Sequence, residues 1–378
     1  MTMRAGPKNT AVWRKGVVWT ALLAAVGVCL PSCANLGYYW QSASGHLQLL
    51  SAAKPVSQWL ADADVPASLK AKLVLSQRIR RFASAELALP DNASYRRYAD
   101  LHRTAVVWNV VAAPALSLTL KTWCFPVTGC IGYRGYVNEA DARLEASTLA
   151  AQGQEVSVYG VPAYSTLGWL NWAGGDPLLN TFINYPDGEL ARIIFHELAH
   201  QVVYVSGDTM FNESFATAVE RLGSERWLAR DAPDAARQSY AAFNTRRQQM
   251  RALTEATRGA LAAIYESKVP LAVELTPWTA TQLIAKAGVM QRFQADYAVL
   301  KTSWGGFAGY DAWVAKANNA AFGAQAAYDD LVPGFEALFE KNDRNWQQFY
   351  AAVKTLAAQP QADRHRALKA VAPPLKAI

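Results

Sequence analysis

The segment His196-Glu197-Leu198-Ala199-His200 predicts both a helix and a chemistry. Two histidines four positions apart fall on one face of an α-helix, with about 6 Å between their Cβ atoms. Both imidazoles can then reach one metal ion, while the carboxylate beside them holds a water molecule for attack. Glu197 is rotated about 100° from His196 around the helix axis, so we expect it to act as a base. The pattern predicts a zinc centre with His196 and His200 as ligands.

The flanking residues predict that this motif lies on one long helix. Pro186-Asp187-Gly188 is typical of a helix start, with Asp187 as the predicted N-cap. Apolar residues then recur every four positions along one stripe: Leu190, Ile194, Leu198 and Val202. We therefore expect a helix of roughly 18 residues that crosses the core. The alternative is a core helix whose histidines only hydrogen-bond to neighbours, which would require several buried polar partners.

A third ligand is expected on a second helix, predicted over residues 212–228. If this helix returns antiparallel to the first, either Glu213 or Glu220 comes within reach of the histidines. The spacing favours Glu220, because its interval from His200 is similar to that in thermolysin. The local sequence favours Glu213, because Asn-Glu-Ser-Phe-Ala at 212–216 resembles the Asn-Glu-Gly-Phe-Ala segment of aminopeptidase N-type enzymes, where that glutamate is the ligand. We predict Glu213 as the ligand and Glu220 as a carboxylate behind it.

Further segments along nearly the whole chain resemble those of one bacterial family. They are Trp123-Cys124-Phe125-Pro126, Tyr133-Arg134-Gly135-Tyr136, residues 163–169, Asp176-Pro177-Leu178-Leu179, residues 196–201, residues 207–213 and Leu331-Val332-Pro333-Gly334-Phe335. With them the chain resembles a family described as putative aminopeptidases, predicted to be lipoprotein zinc peptidases. The resemblance implies a gluzincin-like metallopeptidase with His196, His200 and Glu213 as ligands, Glu197 as base and Zn²⁺ as cofactor.

Two departures from better-known gluzincins leave the type of peptidase open. The interval between His200 and Glu213 is shorter than in thermolysin-like or aminopeptidase N-like enzymes. The chain also lacks the Gly-x-Met-Glu-Asn segment that binds the free amine of the substrate in aminopeptidase N. An endopeptidase acting in the cell envelope therefore remains an alternative to an aminopeptidase.

The N-terminus predicts export. Four basic residues precede an apolar stretch of 15 residues at 16–30, which is short for a membrane span and suits a secretory signal. Leu30-Pro31-Ser32-Cys33 then resembles a lipobox, which implies a signal peptide at 1–32 and a lipid anchor on Cys33. A plain signal peptide or a short uncleaved anchor is the alternative. We expect a periplasm-facing lipoprotein, and because alanine follows Cys33, the outer membrane is favoured over the inner.

Charge and cysteine usage agree with that location. The formal net charge is +7, and removing the four basic residues of the signal leaves about +3 (7 − 4), too weak and dispersed for a nucleic-acid partner. Cys124 and Cys130 remain as a pair that could close a small disulfide loop in an oxidising periplasm. A Cys-x5-Cys metal site is the alternative, but no histidine lies near it in sequence.

The fold class that these patterns predict is α+β: a mainly helical protein with a small mixed sheet beside the zinc helix, forming one domain over 33–378. β-Branched and aromatic residues mark strands at 104–111 and 156–159. The segment 165–172 is a candidate lining of the cleft, with an ordinary connecting loop as the alternative. Tyr328 is a candidate donor to the oxyanion, although a packed core tyrosine is the more common role. His102 and His365 receive no catalytic role.

The sequence thus predicts zinc-dependent hydrolysis of peptide bonds, with a peptide substrate and attachment to the membrane through the lipid anchor. An aminopeptidase acting on small peptides of the cell envelope is the leading hypothesis. The envelope endopeptidase and a catalytically inactive lipoprotein scaffold are the alternatives.

Overall fold

A computed structural model describes residues 37–125, 128–163, 165–169, 171–266 and 275–372. The predicted signal peptide and Cys33 lie outside the described residues. The chain divides into two compact units, residues 1–48 and residues 49–378. In the first unit the described residues, 37–48, are helical and belong to helix α1 at 37–52. Within the described residues, no helix has the length and apolar character needed to span a membrane.

The second unit is mainly helical, and its strands are short. The helices are α2 (Val56–Ala61), α3 (Ala67–Leu87), α4 (Glu139–Ala151), α5 (Asp187–Ala199), α6 (Thr209–Arg230), α7 (Asp234–Glu266), α8 (Leu275–Ser303), α9 (Asp311–Val314), α10 (Asn319–Asp329), α11 (Val332–Lys341), α12 (Trp346–Ala357) and α13 (Gln361–Val371). The strands are β1 (Lys54–Pro55), β2 (Arg97–Ala99), β3 (Val107–Pro114), β4 (Trp123–Phe125), β5 (Gly129–Ile131), β6 (Arg134–Tyr136), β7 (Gln154–Val161) and β8 (Leu178–Leu179). The α+β class is confirmed in this coarse sense.

The strands form several small sheets, where the sequence predicted a single mixed one. In the largest, β3 lies between β6 and β7 and both pairings are antiparallel, with Asn109 opposite Tyr159. The mixed sheet is β1–β2–β8, in which β1 and β2 are antiparallel and β2 and β8 are parallel. Strands β4 and β5 form a separate hairpin. The two predicted strands are present as β3 and β7, the second at the edge of its sheet.

The apolar stripe of α5 lies in the centre of the main core. Leu190, Ile194 and Leu198 are fully buried, and α5 packs against α3, α6 and α7. The helix begins one residue earlier than predicted, because Pro186 is the N-cap and Asp187 lies in the first turn. It is also shorter, at 13 residues. After Ala199 the hydrogen-bond pattern is no longer that of a regular α-helix. The backbone amides of residues 201 and 202 donate to the carbonyl groups three residues earlier, instead of four.

Aromatic residues hold α6 against the C-terminal helices. Phe215 of α6 packs against Phe335 of α11 and Phe349 of α12, with ring centroids 5.7 and 6.0 Å apart, and all three are fully buried. Aromatic pairs of this kind contribute about 0.5–1.5 kcal/mol beyond the burial of their area. The C-terminal helices therefore support α6 from the side away from α5.

A buried ion pair joins α13 to the start of α6. The carboxylate of Asp208, the N-cap of α6, accepts from the backbone amide of Phe211 at 3.1 Å and is 1% exposed. The guanidinium of Arg364 donates to Asp208 Oδ2 at 2.7 Å, and His365 Nε2 lies 2.9 Å from the same oxygen. Although burial alone would raise the pKa of Asp208, His365 and Arg364 hold it below the usual value. His365 therefore has a structural contact here.

We predict that Asp208→Ala lowers the free energy of unfolding by about 3 kcal/mol or more, because it leaves the Arg364 charge buried without its partner. Asp234→Ala is the matched control, since Asp234 also lies at a helix start and pairs with an arginine but is 81% exposed. It should change the free energy by less than about 1 kcal/mol. Urea unfolding of both variants measures this, and equal effects would contradict the role of the buried pair.

Candidate metal centre

Helix α5 places His196 and His200 side by side near its C-terminal end. His196 lies in the last turn, and His200 is the C-cap residue but keeps α-helical backbone angles, φ −58° and ψ −22°. The one-face geometry predicted from the spacing is therefore kept although the regular helix ends at Ala199. The two Nε2 atoms lie 3.2 Å apart, and both side chains are largely buried.

Helix α6 brings Glu213 to the same two nitrogen atoms. Its Oε2 lies 3.3 Å from His196 Nε2 and 3.7 Å from His200 Nε2. The contacts of Glu213 with His200 and of Glu220 with Arg192 show that α5 and α6 run antiparallel. Within the described residues, His196, His200 and Glu213 form the group of side chains that could hold a metal ion.

The spacing of these three donors fits zinc. Zn²⁺ is bound tetrahedrally at about 2.0–2.2 Å by imidazole and carboxylate donors, so two ligand atoms should lie about 3.3 Å apart. The three observed separations, 3.2, 3.3 and 3.7 Å, are close to that value. Three protein ligands leave one position of a tetrahedron open, as in catalytic sites. The residues present therefore suit a catalytic zinc ion.

Glu220 lies on the opposite side of the His196 ring. Its Oε2 is 3.2 Å from His196 Nδ1, and its Oε1 accepts from Arg192. Although burial alone would raise the pKa of Glu220, Arg192 and His196 hold it well below the usual value. A carboxylate in this position fixes the orientation of the ring and makes its other nitrogen a better ligand. The structure thus brings both candidate glutamates to His196, but at different nitrogens.

A chain of ion pairs holds Glu220 in turn. Arg192 also donates to Glu189 Oε2 at 3.0 Å, and Arg247 of α7 donates to Glu189 Oε1 at 2.7 Å. This network joins α5, α6 and α7 behind the histidines. Arg192 was not predicted from the sequence; its signal is its position four residues before His196, on the same face of α5.

The two histidines differ in their electrostatics. Burial lowers the pKa of His200 to about 4, so its imidazole is neutral, as a metal ligand must be. Burial also acts to lower the pKa of His196, but Glu213 and Glu220 raise it well above the usual value. Burial would raise the pKa of Glu213, yet His200 and His196 hold it below normal. The carboxylates therefore favour a positive charge at His196, beside Glu213, which is where a cation would bind.

Glu197 is buried beside this group and is not part of it. It is 8% exposed. Burial raises the pKa of Glu197 to about 8, against the opposing effect of His196 and with a further contribution from Glu213. A carboxylate whose pKa lies near neutrality can both accept and return a proton. Its position and its pKa fit the predicted role of a base.

Tyrosines surround the ligand group. The ring of Tyr328 in α10 stacks near that of His196, with centroids 6.5 Å apart. Burial raises the pKa of Tyr328 well above its usual value, and Glu213 adds to the shift. Burial and Glu213 act in the same way on the pKa of Tyr133, a residue that was not predicted from the sequence. Both phenols therefore stay protonated and able to donate.

The loop between His200 and Glu213 is fixed by two contacts. Asn212 accepts from the amide of Val205 and donates to its carbonyl, both at 2.8 Å. On the outer side the β4–β5 hairpin, closed by a disulfide between Cys124 and Cys130, meets the loop where Gly207 N donates to Thr128 O at 2.9 Å. The contact is close: a Cβ at Gly129, whose φ is +72°, would lie 2.6 Å from Gly207 N.

The segment 165–172 contributes to a cavity next to the histidines. Its residues Leu167 and Trp169 line a space of about 280 Å³ together with His200 and Tyr204. Residue 170 of the segment lies outside the described residues. His102 is exposed and contacts Asp100, away from this group.

Comparison with known proteins identifies the family. The profile of the family described as "Putative aminopeptidase" matches residues 37–368, which is most of the chain. No curated protein and no solved structure matches the chain. The chain belongs to the putative aminopeptidase family, whose description points to a peptidase.

The two glutamates give a prediction about metal binding. We expect Glu213→Gln to abolish stoichiometric zinc binding, because one of three protein ligands is lost. Glu220→Gln should leave one zinc per chain with an affinity about 10- to 100-fold lower, the usual effect of removing a carboxylate behind a histidine ligand. Elemental analysis and competition with a chelator measure both values. The reverse order of effects would make Glu220 the ligand.

The hairpin gives a prediction about the loop. Replacing Cys124 and Cys130 together by serine should lower the free energy of unfolding by about 2 kcal/mol, the value for so short a closed loop. It should also speed amide hydrogen exchange at residues 203–208, because the hairpin holds Gly207. Cys124→Ser alone is the matched control and should equal the double variant. Unchanged exchange at 203–208 would show that the hairpin does not fix the loop.

Proposed function

We propose that the chain is a zinc metallopeptidase, an aminopeptidase that acts on small peptides in the cell envelope. The observation that carries this proposal is the spacing of His196, His200 and Glu213, which fits a tetrahedral zinc ion with one open position. The family description supports the class of activity. The buried Glu197 beside the group supports catalysis over a purely structural site.

The chemistry divides between the metal and the chain. When bound, Zn²⁺ would polarise the scissile carbonyl and make a water molecule acidic enough to react at neutral pH. Glu197 would accept the proton of the attacking water and return it to the leaving amine. Its low exposure helps, because little bulk water can compete for that proton.

Phenols are the proposed donors to the developing oxyanion. Tyr328 is the first candidate, because its ring lies beside His196, and Tyr133 is the second. Donors that are already in place stabilise negative charge in the transition state without reorganising. The edge strand β7 could pair with an extended substrate backbone, as strands at sheet edges commonly do.

Attachment through Cys33 belongs to the same proposal. A lipid anchor at the start of the mature chain would hold the enzyme at the periplasmic face of the outer membrane, where short peptides are its substrates. Labelling with radioactive palmitate, compared between the full chain and Cys33→Ser, tests this. Equal labelling of the two chains would contradict the anchor.

The activity itself gives a prediction. We expect the zinc-loaded soluble chain starting after Cys33 to hydrolyse short peptides, and Glu197→Gln to lower kcat by about 10²- to 10⁴-fold while zinc content stays at one per chain. Glu255→Gln is the matched control, because Glu255 is exposed and lies far along α7. Mass spectrometry of defined synthetic peptides gives the rates.

The same substrates separate the proposed activity from its alternatives. Peptides with a free amino terminus should be cleaved one residue at a time, and their acetylated copies should resist. Cleavage of both at internal bonds would show an endopeptidase. No cleavage by a fully zinc-loaded chain would favour a scaffold without catalytic activity.

A further inference from the structure

A second feature of the candidate site is the cavity of about 280 Å³ that opens beside His200. Its walls include the apolar side chains of Leu167, Trp169, Val202 and Val203. We infer that this cavity is a substrate subsite that receives an apolar side chain, up to the size of phenylalanine, from a residue flanking the scissile bond. The inference rests on the proposed function and names the substrate class of the same site.

The position of the cavity connects it to the reacting centre. His200, a proposed metal ligand, forms part of its wall. Tyr204, another wall residue, lies close enough to Glu213 for that carboxylate to raise its pKa further after burial, to about 12. The cavity therefore borders one of the three proposed ligands, and one of its wall residues is near enough to a second to feel its charge. A peptide whose carbonyl reaches the metal has a flanking side chain within reach of this space.

The largely uncharged walls disfavour substrates with a charged side chain. Apart from His200, none of the described residues that line the cavity carries an acidic or basic side chain. The polar wall residue Gln201 is already bonded: its Oε1 accepts from Asn92 at 2.6 Å, and its Nε2 donates to Ser94 at 3.1 Å. The other polar wall residues, Tyr204 and Ser206, are uncharged, so a charged substrate side chain would lose water there without gaining an oppositely charged partner.

The size of the cavity fits one side chain. Sites for whole small molecules usually measure about 300–1,000 Å³. The space beside His200 lies just below that range. A larger cavity, of about 610 Å³, lies between α6, α7 and α11, but its basic residues Arg247 and Arg251 already pair with Glu189 and Asp329. The smaller cavity is therefore the better candidate.

Trp169 lies on a loop whose backbone is fixed by hydrogen bonds, although its own side chain is 67% exposed. The buried carboxylate of Asp176 accepts from the amide of Thr166 at 3.1 Å and from Gln201 at 3.4 Å. Gly168 completes the turn with a φ of +77°, where an added Cβ would lie 3.0 Å from the Asn171 side chain. Because these contacts already hold the backbone of the loop, binding there orders little additional backbone.

Trp172 provides an internal control. It lies on the same loop and is 85% exposed, but it does not line the cavity. If exposed tryptophans bound peptides nonspecifically, the two residues would contribute equally to substrate binding. If the cavity governs it, only Trp169 matters.

The test uses binding and cleavage of four peptides: Phe-Ala-Gly, Ala-Phe-Gly, Asp-Ala-Gly and Ala-Asp-Gly. Binding is measured by calorimetry to the zinc-loaded Glu197→Gln chain, which should leave the peptides intact, and cleavage is measured with the wild-type chain. We expect phenylalanine to be preferred over aspartate by about tenfold or more in at least one position. Trp169→Ala should remove that preference at unchanged zinc content, and Trp172→Ala should keep it.

Each outcome has one meaning. Equal binding of phenylalanine and aspartate peptides, or equal losses in the two tryptophan variants, would overturn the subsite while leaving the peptidase intact. A preference for aspartate would overturn it as well. If no peptide binds or is cleaved although zinc is bound, the proposed function fails and the subsite fails with it.

Discussion

Two imidazoles and three carboxylates lie buried together where α5 and α6 pack against each other, and the surrounding structure depends on keeping them there. Buried charges are costly unless they are paired or bind a metal. Arg192 pairs with Glu220, and Glu220 meets one nitrogen of His196. The potential ligand atoms, Nε2 of His196, Nε2 of His200 and Oε2 of Glu213, lie within 3.7 Å of one another. A divalent cation is the partner that we propose for this group.

Several neighbouring elements fix the positions of the residues in this group. Asp208 begins α6 in a buried pair with Arg364, so the C-terminal helix fixes the start of the helix that carries Glu213. Asn212 and the disulfide hairpin hold the loop between the histidines and Glu213. Gln201, directly after His200, fixes the loop that bears Trp169. The proposed metal ligands and the proposed subsite thus share their supports.

The sequence was sufficient for features set by local pattern. The helices that carry His196, His200 and Glu213 follow from apolar periodicity, and β3 and β7 follow from β-branched density. It could not predict the early end of α5, because Val202 continues the apolar stripe while Gln201 bonds to Ser94 and Asn92, residues distant in sequence. The partners of Arg192 and the docking of the hairpin on Gly207 are likewise long-range. Spacing alone could not choose between Glu213 and Glu220, since both face His196.

The most direct measurement is a crystal structure of the zinc-loaded chain with data collected at the zinc absorption edge. We expect one anomalous peak per chain, about 2.0–2.2 Å from Nε2 of His196, Nε2 of His200 and a carboxylate oxygen of Glu213. Glu220 should remain next to Nδ1 of His196, on the far side of the ring. A zinc-saturated crystal without a peak at these atoms, or with Glu220 in place of Glu213, would contradict it.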